Sequence, residues 1–125
     1  MLAALKKRRA LLLDDDPSMQ RLVSTLLRRA GYRVEVFQSG RDAIEAIRDD
    51  AYDILLLDLM MPVEGGMTVI RHLRKTNPKL LDRTLVLTAS PESIIASVAK
   101  QVAGVVKKPF ESKELIGAVK RVANA

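Results

Sequence analysis

The 125-residue sequence contains no cysteine and no tryptophan, and its two phenylalanines and two tyrosines make up only 3% of the chain. Without cysteine, neither a disulfide framework nor a thiolate metal site can form. So few aromatic rings leave little on which nucleic-acid bases could stack. No apolar run approaches the roughly 20 residues that span a bilayer, and the N-terminal run is too short for a signal peptide. The composition therefore predicts a cytoplasmic protein that has no membrane segment.

What the sequence does contain is typical of one globular domain. Hydrophobic residues make up 48% and charged residues 29% of the chain, and the net charge is +6. The basic residues are scattered along the chain, so direct binding of nucleic acid is not expected from them. Their one cluster, Lys6 to Arg9, precedes the first apolar run and is interpreted as a solvated lead-in. The predicted division is a basic lead-in at residues 1–9 and a single domain at residues 10–125.

Apolar runs of strand length alternate with segments of helical periodicity. The five predicted strands cover residues 10–13, 33–37, 54–57, 84–88 and 104–106. Each is followed by a helical pattern, and four of these helices are predicted to be capped at Ser18, Ser39, Ser90 and Ser112. Such an alternation predicts an α/β fold, a single doubly wound (βα)5 domain whose parallel sheet is covered by helices on both faces.

Polar side chains follow four of the predicted strands. They are Asp14, Asp15 and Asp16 after the first, Asp58 after the third, Thr88 at the end of the fourth and Lys108 after the fifth. Because the carboxyl ends of parallel strands open on one edge of the sheet, these groups are expected to meet there. Crowded carboxylates repel one another by several kcal/mol at an effective dielectric constant of ~20. An oxygen-only cluster of this kind suits Mg²⁺, with Mn²⁺ as an alternative.

The groups around this cluster indicate phosphoryl chemistry. A lysine and a threonine hydroxyl opposite a metal ion are suited to hold the oxygens of a phosphoryl group. No glycine-rich nucleotide loop is present. An aspartate can itself act as the nucleophile and form an acyl phosphate. Asp58 fits that role best, because it follows the central strand, with the acid pair on one side and Thr88 and Lys108 on the other.

Four motifs in this order resemble those of response-regulator receiver domains, such as the chemotaxis regulators. The motifs are LLLDDDP at residues 11–17, DLMMP at 58–62, TA at 88–89 and KPF at 108–110. The resemblance covers nearly the whole chain after Arg9. It implies a flavodoxin-like sheet with strand order 2-1-3-4-5. It also implies a signalling domain rather than an enzyme, one that at most catalyses its own phosphorylation and dephosphorylation.

The resemblance also implies roles for individual residues. Asp58 would accept a phosphoryl group from a sensor histidine kinase or a phosphotransfer protein. Asp14 and Asp15 would hold Mg²⁺ together with Asp58 and the backbone carbonyl of Met60. Thr88 and Lys108 would contact the phosphoryl oxygens, and a downstream effector would bind the face formed by helix 4, strand 5 and helix 5.

The sequence departs from the family pattern at a few positions. Val105 stands where the family usually has an aromatic residue whose rotamer reports phosphorylation, and Glu64 and Gly65 replace the more usual Met and Asp. The domain is therefore expected to accept phosphate while signalling without a rotating aromatic. Alternatively, Val105 is simply a packed strand residue.

Two other functions remain open at this stage. The Asp-x-Asp of Asp14 and Asp16 is similar to the nucleophile motif of haloacid-dehalogenase-type phosphatases, in which Asp14 would be the nucleophile and Asp16 the acid. The chain lacks the cap insertion and the later acidic pair of that family. The other alternative is a degenerate receiver that acts only as a binding module, which the substitution at Val105 keeps open.

Overall fold

The computed structural model describes residues 7–124, in which five strands alternate with five helices. The strands are β1 (Arg8–Leu13), β2 (Tyr32–Phe37), β3 (Ile54–Asp58), β4 (Thr84–Thr88) and β5 (Gly104–Lys107). The helices are α1 (Pro17–Arg29), α2 (Gly40–Asp49), α3 (Gly66–Thr76), α4 (Glu92–Ala99) and α5 (Ser112–Ala123). A 3₁₀ helix at Pro78–Arg83, which the sequence analysis did not predict, joins α3 to β4. In the part of the chain described, no helix is long and apolar enough to cross a membrane.

All five strands pair in parallel in the order β2-β1-β3-β4-β5, which confirms the predicted topology. β3 lies at the centre of the sheet, where Leu57 is in register with Leu13 of β1 and Asp58 with Leu87 of β4. The order in which strands are added to the sheet reverses between β1 and β3. The loops after these two strands therefore leave toward opposite faces and open a crevice between them. This register brings the acids that follow β1 to the end of β3.

The sheet carries a hydrophobic core on each face, because successive side chains of a strand point to opposite sides. Leu12 and Leu56 face α1 and α5, whereas Leu11 and Leu57 face α2, α3 and α4. All four are fully buried. Burying a leucine completely stabilises the fold by about 1.5–3 kcal/mol, so the strand that positions Asp58 is held firmly from both sides.

Three of the predicted helix caps are wrong by one or two residues. Asp16 rather than Ser18 caps α1, where its carboxylate accepts the Ser18 N–H at 3.2 Å. Pro91 rather than Ser90 precedes α4, because the Ser90 hydroxyl is already bonded to Thr88. Glu111 rather than Ser112 caps α5 and forms a reciprocal capping box with the third residue of the helix. The predicted cap of α2 at Ser39 is confirmed.

The first strand begins earlier than predicted. Arg8 and Arg9, which the sequence analysis assigned to the basic lead-in, lie in β1 opposite Tyr32 and Arg33 of β2. Their pairing extends β1 to the full length of β2, and the Arg9 guanidinium forms ion pairs with Glu35 and Asp50. The two ion pairs of Arg9 explain how this arginine is accommodated in a strand. Residues 1–6, including Lys6, and residue 125 lie outside the described part of the chain.

Candidate functional site

Three carboxylates meet at the carboxyl edge of the sheet. Asp14 and Asp15 follow β1 and Asp58 ends β3, and one oxygen of each lies within 4.8 Å of the others. Asp14 is fully buried, Asp58 is nearly so and Asp15 is exposed. The Asp14 carboxylate also accepts the N–H of Asp16 at 2.9 Å, which fixes the turn after β1. The cluster therefore has a buried floor and a side open to solvent.

Lys108 supplies the opposite charge. Its ammonium lies 3.1 Å from Asp14 Oδ2 and 3.5 Å from Asp58 Oδ2, and its side chain is only 16% exposed. The backbone N–H of Lys108 donates to the carbonyl of Thr88 at 2.8 Å, which continues the β4–β5 pairing beyond the strand end. The lysine is thus positioned by the sheet rather than by a free loop. One ammonium facing three carboxylates still leaves the pocket anionic.

Asp58 is the acid whose protonation the site alters most clearly. Burial raises the pKa of Asp58 above its usual range, and the adjacent charge of Asp14 raises the pKa further. The Lys108 ammonium and the Met60 N–H, which donates to Asp58 Oδ1 at 3.2 Å, oppose these effects and lower the pKa. The net direction of the pKa shift is upward, so the cost of burying the ionised carboxylate beside Asp14 outweighs its attraction to Lys108.

Thr88 lies fully buried at the end of β4 beside Ser90. The Thr88 hydroxyl accepts the Ser90 N–H at 2.9 Å and lies 2.5 Å from the Ser90 hydroxyl. These bonds satisfy the hydroxyl within the loop between β4 and α4. A threonine held in this way presents its hydroxyl at the same sheet edge as Asp58 and Lys108.

Glycines allow the loop after β3 to pack closely against the site. A Cβ on Gly66 would lie 2.7 Å from the Asp58 carbonyl oxygen, so α3 begins in direct contact with the end of β3. Gly40, at the start of α2, donates its N–H to the Glu64 carbonyl at 2.6 Å. From the sequence, Gly65 and Gly66 were interpreted only as residues that lead into α3. Two adjacent glycines directly after the loop that follows Asp58 were the sequence signal that could have predicted this close contact between α3 and β3.

Gln20 is another residue that the sequence analysis missed. Its side-chain amide donates to the Asp14 carbonyl at 2.6 Å and ties the first turns of α1 to the acidic loop. A glutamine on a helix gives no distinctive sequence signal for such a contact, because its partner is a backbone atom that only the fold places nearby.

Asp16 and Val105 take structural positions. Asp16 is exposed, and its carboxylate caps α1 rather than joining the acid cluster. The phosphatase alternative required Asp14 and Asp16 to act on one ligand, so this geometry weighs against it.

Val105 is half-buried in β5, in register with Val86, and packs on the same core cluster as Val98.

The order of the strands and the position of the acids define a doubly wound α/β domain with its site at the carboxyl edge. The family model of the response regulator receiver domain matches residues 10–120. The chain therefore belongs to the response-regulator receiver family, as its motifs predicted.

Relatives in this family include both long and short proteins. The sequence is 33% identical over 116 residues to the DNA-binding response regulator MtrA of Mycolicibacterium smegmatis, covering 91% of this chain and 50% of the relative. It is 30% identical over 115 residues to the response regulator receiver protein CpdR of Brucella abortus, covering 92% of this chain and 96% of the relative. The chain thus spans about half the length of MtrA and nearly the whole of CpdR.

Solved structures agree with this assignment. The chemotaxis response regulator CheY4 of Vibrio cholerae superposes with a TM-score of 0.82 at 28% identity, covering 94% of this chain and 99% of that one. The receiver domain of the sensor histidine kinase PA1611 of Pseudomonas aeruginosa gives a TM-score of 0.85 at 25% identity, covering 96% of this chain and 100% of that one. That structure contains a magnesium ion coordinated in the active site cleft.

Proposed function

We propose that this domain accepts a phosphoryl group on Asp58 from a phosphohistidine of a sensor histidine kinase or phosphotransfer protein. The observation that carries the proposal is the Lys108 ammonium, 3.5 Å from Asp58 and 3.1 Å from Asp14 at the open end of the sheet. A single cation shared by two buried acids suits a site that must also hold the oxygens of a transferred phosphoryl group.

The residues present fit a divalent cation. Three carboxylate oxygens within 4.8 Å of one another, with one ammonium among them, leave negative charge uncompensated. Oxygen ligands of this type are those that Mg²⁺ and Mn²⁺ take in proteins. Asp14, Asp15, Asp58 and the backbone carbonyl of Met60 would hold the ion. When bound, it supplies positive charge for the oxygens of the transferred group.

The transfer itself is carried by Asp58. One carboxylate oxygen of ionised Asp58 forms a bond to the phosphorus while the phosphorus–nitrogen bond of the phosphohistidine breaks. The electron pair of that bond leaves with the imidazole, and an acyl phosphate remains on Asp58. Lys108 and Thr88 would donate hydrogen bonds to the phosphoryl oxygens. In this scheme the domain is itself the substrate of the transfer.

An effector would then read the phosphorylated state from the face formed by α4, β5 and α5. Val105 lies in this face and is packed against the core, so we infer that the signal is transmitted without a rotating aromatic side chain at this position. Support for the inference is the half-buried setting of Val105 beside Val98.

Incubation with acetyl phosphate and Mg²⁺, followed by intact-protein mass spectrometry, tests the assignment of Asp58. The wild-type chain should gain the mass of one phosphoryl group, and Asp58→Asn should gain none. Asp16→Asn is the matched control, since it removes an acid from the same loop of the site without touching the cluster, and it should retain the adduct. An adduct that persists in Asp58→Asn but disappears in Asp14→Asn would overturn the proposal in favour of the phosphatase arrangement.

A further inference from the structure

Basic side chains collect at the edge of the sheet opposite Asp58, where the strands begin and the helices end. The last turns of four helices carry Arg28 and Arg29, Arg48, Arg74 and Lys75, and Lys120 and Arg121. A cation near a helix C-terminus interacts favourably with the helix dipole, which accounts for each residue by itself. All these helices run in the same direction across the sheet, so residues far apart in the sequence share one end of the molecule.

Some of these cations lie at a cleft between the ends of α1 and α5. The cleft has a volume of about 240 Å³ and is lined by Arg8 and Lys120, among others. Arg28 and Arg29 directly precede the lining residue Ala30. The Arg8 guanidinium donates to the Ala123 carbonyl at 2.9 Å, which ties the start of β1 to the end of α5. Arg8 and Lys120 line the cleft, whereas Arg28 and Arg29 are exposed residues that adjoin it at the end of α1. We call these four residues together the basic cleft.

The charges of the basic cleft have no acidic partner among residues 7–124. All four side chains belong to exposed residues, and none forms an ion pair with a carboxylate of the described chain. Two acids, Asp53 and Asp82, line a neighbouring cleft that shares Arg8. Asp53 is already engaged, because it accepts the N–H of Arg9 at 2.7 Å. A cluster of positively charged side chains attracts polyanions.

The surroundings of the basic cleft indicate which polyanion fits. The exposed large hydrophobic side chains of the described residues are Leu22, Val36, Met60 and Val63, and none lines the cleft. A protein partner would need apolar or aromatic anchors there, and an interfacial helix would need an apolar face. Tyr32 is only 7% exposed, so it offers no ring on which an unpaired base could stack. Arginine guanidinium groups bind phosphate oxygens in a bidentate manner.

We propose that the basic cleft binds the phosphate backbone of a double-stranded nucleic acid without reading its sequence. A concave basic recess receives a ridge of phosphates, whereas a bilayer presents a flat surface. The basic residues are dispersed along the sequence, which predicted no binding of nucleic acid, but the fold brings these four to one end of the molecule. The proposal does not depend on phosphoryl transfer at Asp58, which lies at the opposite edge of the sheet.

The test is a fluorescence-anisotropy titration of the full 125-residue chain with a labelled DNA duplex of scrambled sequence, at salt concentrations from roughly 50 to 200 mM. The patch variant is Arg28→Gln, Arg29→Gln and Lys120→Gln. The charge-matched control is Arg21→Gln, Lys100→Gln and Lys113→Gln, which changes exposed cations outside the cleft. Both variants should keep the far-UV circular dichroism spectrum and the cooperative thermal melt of the wild type, which shows that they are folded.

The wild type and the control should bind the duplex, and their affinity should fall linearly with salt on logarithmic axes. Removing three phosphate contacts should weaken binding by about tenfold or more at the lowest salt and make the salt slope shallower by about 3. Equal losses in the patch and control variants would overturn the proposal, since net charge alone would then explain binding. Binding to vesicles of phosphatidylcholine with phosphatidylserine, without binding to the duplex, would overturn it in favour of a membrane surface. The absence of any duplex binding at the lowest salt would overturn it as well.

Discussion

At the scale of single residues, the site places a carboxylate where its charge is poorly compensated. Asp58 is nearly buried beside the fully buried Asp14, and the ammonium of Lys108 serves both. The raised pKa of Asp58 means that the folded state binds its proton more tightly than the unfolded state does. Ionised Asp58 therefore destabilises the fold, and a nucleophile of the acyl-phosphate type must be ionised to react.

Asp58→Asn should therefore stabilise the domain at pH 7. For an acid whose folded pKa lies above its unfolded value, the penalty is absent below the unfolded value, grows as pH rises through the folded pKa, and is complete above it. The gain should consequently be largest at neutral pH and disappear in acid. A gain of about 1 kcal/mol would raise the Tm by roughly 3–6 °C in a domain of this size. Calorimetry over a pH series measures it; equal melting of variant and wild type at pH 7 would contradict the raised pKa.

Lys108→Met should destabilise the domain, because it leaves Asp14 and Asp58 without their shared cation. Removing one partner of a buried ion pair costs about 3–5 kcal/mol, and urea unfolding at pH 7 should detect a loss of that order. Millimolar Mg²⁺ should restore part of it. The control is Lys107→Met, which removes an ammonium from an exposed pair with Glu92 and should cost no more than about 1 kcal/mol. Similar losses in the two variants would refute the special role given to Lys108.

At the scale of elements, the junction between β3 and α3 is the tightest contact near the site. Gly66 lets the first turn of α3 lie against the carbonyl of Asp58, where a Cβ would approach to 2.7 Å. Backbone atoms at this point cannot move aside without shifting β3. The geometry of the acid cluster thus depends on a residue that has no side chain.

Gly66→Ala should accordingly destabilise the domain by about 1–3 kcal/mol, the usual cost of overpacking. Gly117→Ala is the matched control on α5, because a Cβ there meets only the end of the flexible Arg121 side chain at 3.5 Å. That change should stabilise the domain by about 0.5–1 kcal/mol through helix propensity. Chemical denaturation compares the two, and a neutral Gly66→Ala would show that the junction relaxes freely.

The elements also show where sequence reasoning reaches its limit. Strand positions and the central place of β3 were predicted, since buried parallel strands read as continuous apolar runs. The first residues of the helices were predicted less accurately, because Asp16 and Glu111 compete with nearby serines for the capping position. The choice between neighbours was made by contacts such as the bond of Ser90 to Thr88, which depends on the loop conformation.

At the scale of the whole molecule, the two edges of the sheet carry different clusters of charged side chains. The carboxylates of the site lie at one edge of the sheet and the basic cleft at the other. A cation should therefore stabilise the fold by binding to the acidic edge. The free energy gained follows mass action and reaches about 1.4 kcal/mol when the ion is at ten times its Kd.

Mg²⁺ should raise the Tm of the wild type in a concentration-dependent manner. Asp15→Asn should abolish the increase with little effect on the melt without metal, because Asp15 is an exposed member of the cluster. Asp16→Asn, which lies outside the cluster and keeps a helix-capping side chain, should respond like the wild type. Differential scanning fluorimetry with and without millimolar Mg²⁺ provides the measurement. A melt that is insensitive to Mg²⁺ in the wild type would argue against a metal site here.

The strand order was implied by the family resemblance. The sequence by itself determined the alternation of strands and helices, the parallel sheet and the identity of the residues at its carboxyl edge. It could do so because hydrophobic periodicity is local and parallel strands deliver their ends to one side. Only the tertiary structure decided that Asp16 caps a helix while Asp15 joins the cluster, that Lys108 reaches both Asp14 and Asp58, and that Arg8 and Lys120 line one cleft. Those outcomes depend on distances between residues up to 115 positions apart in the chain, as in the bond from Arg8 to Ala123, and no local pattern encodes such distances.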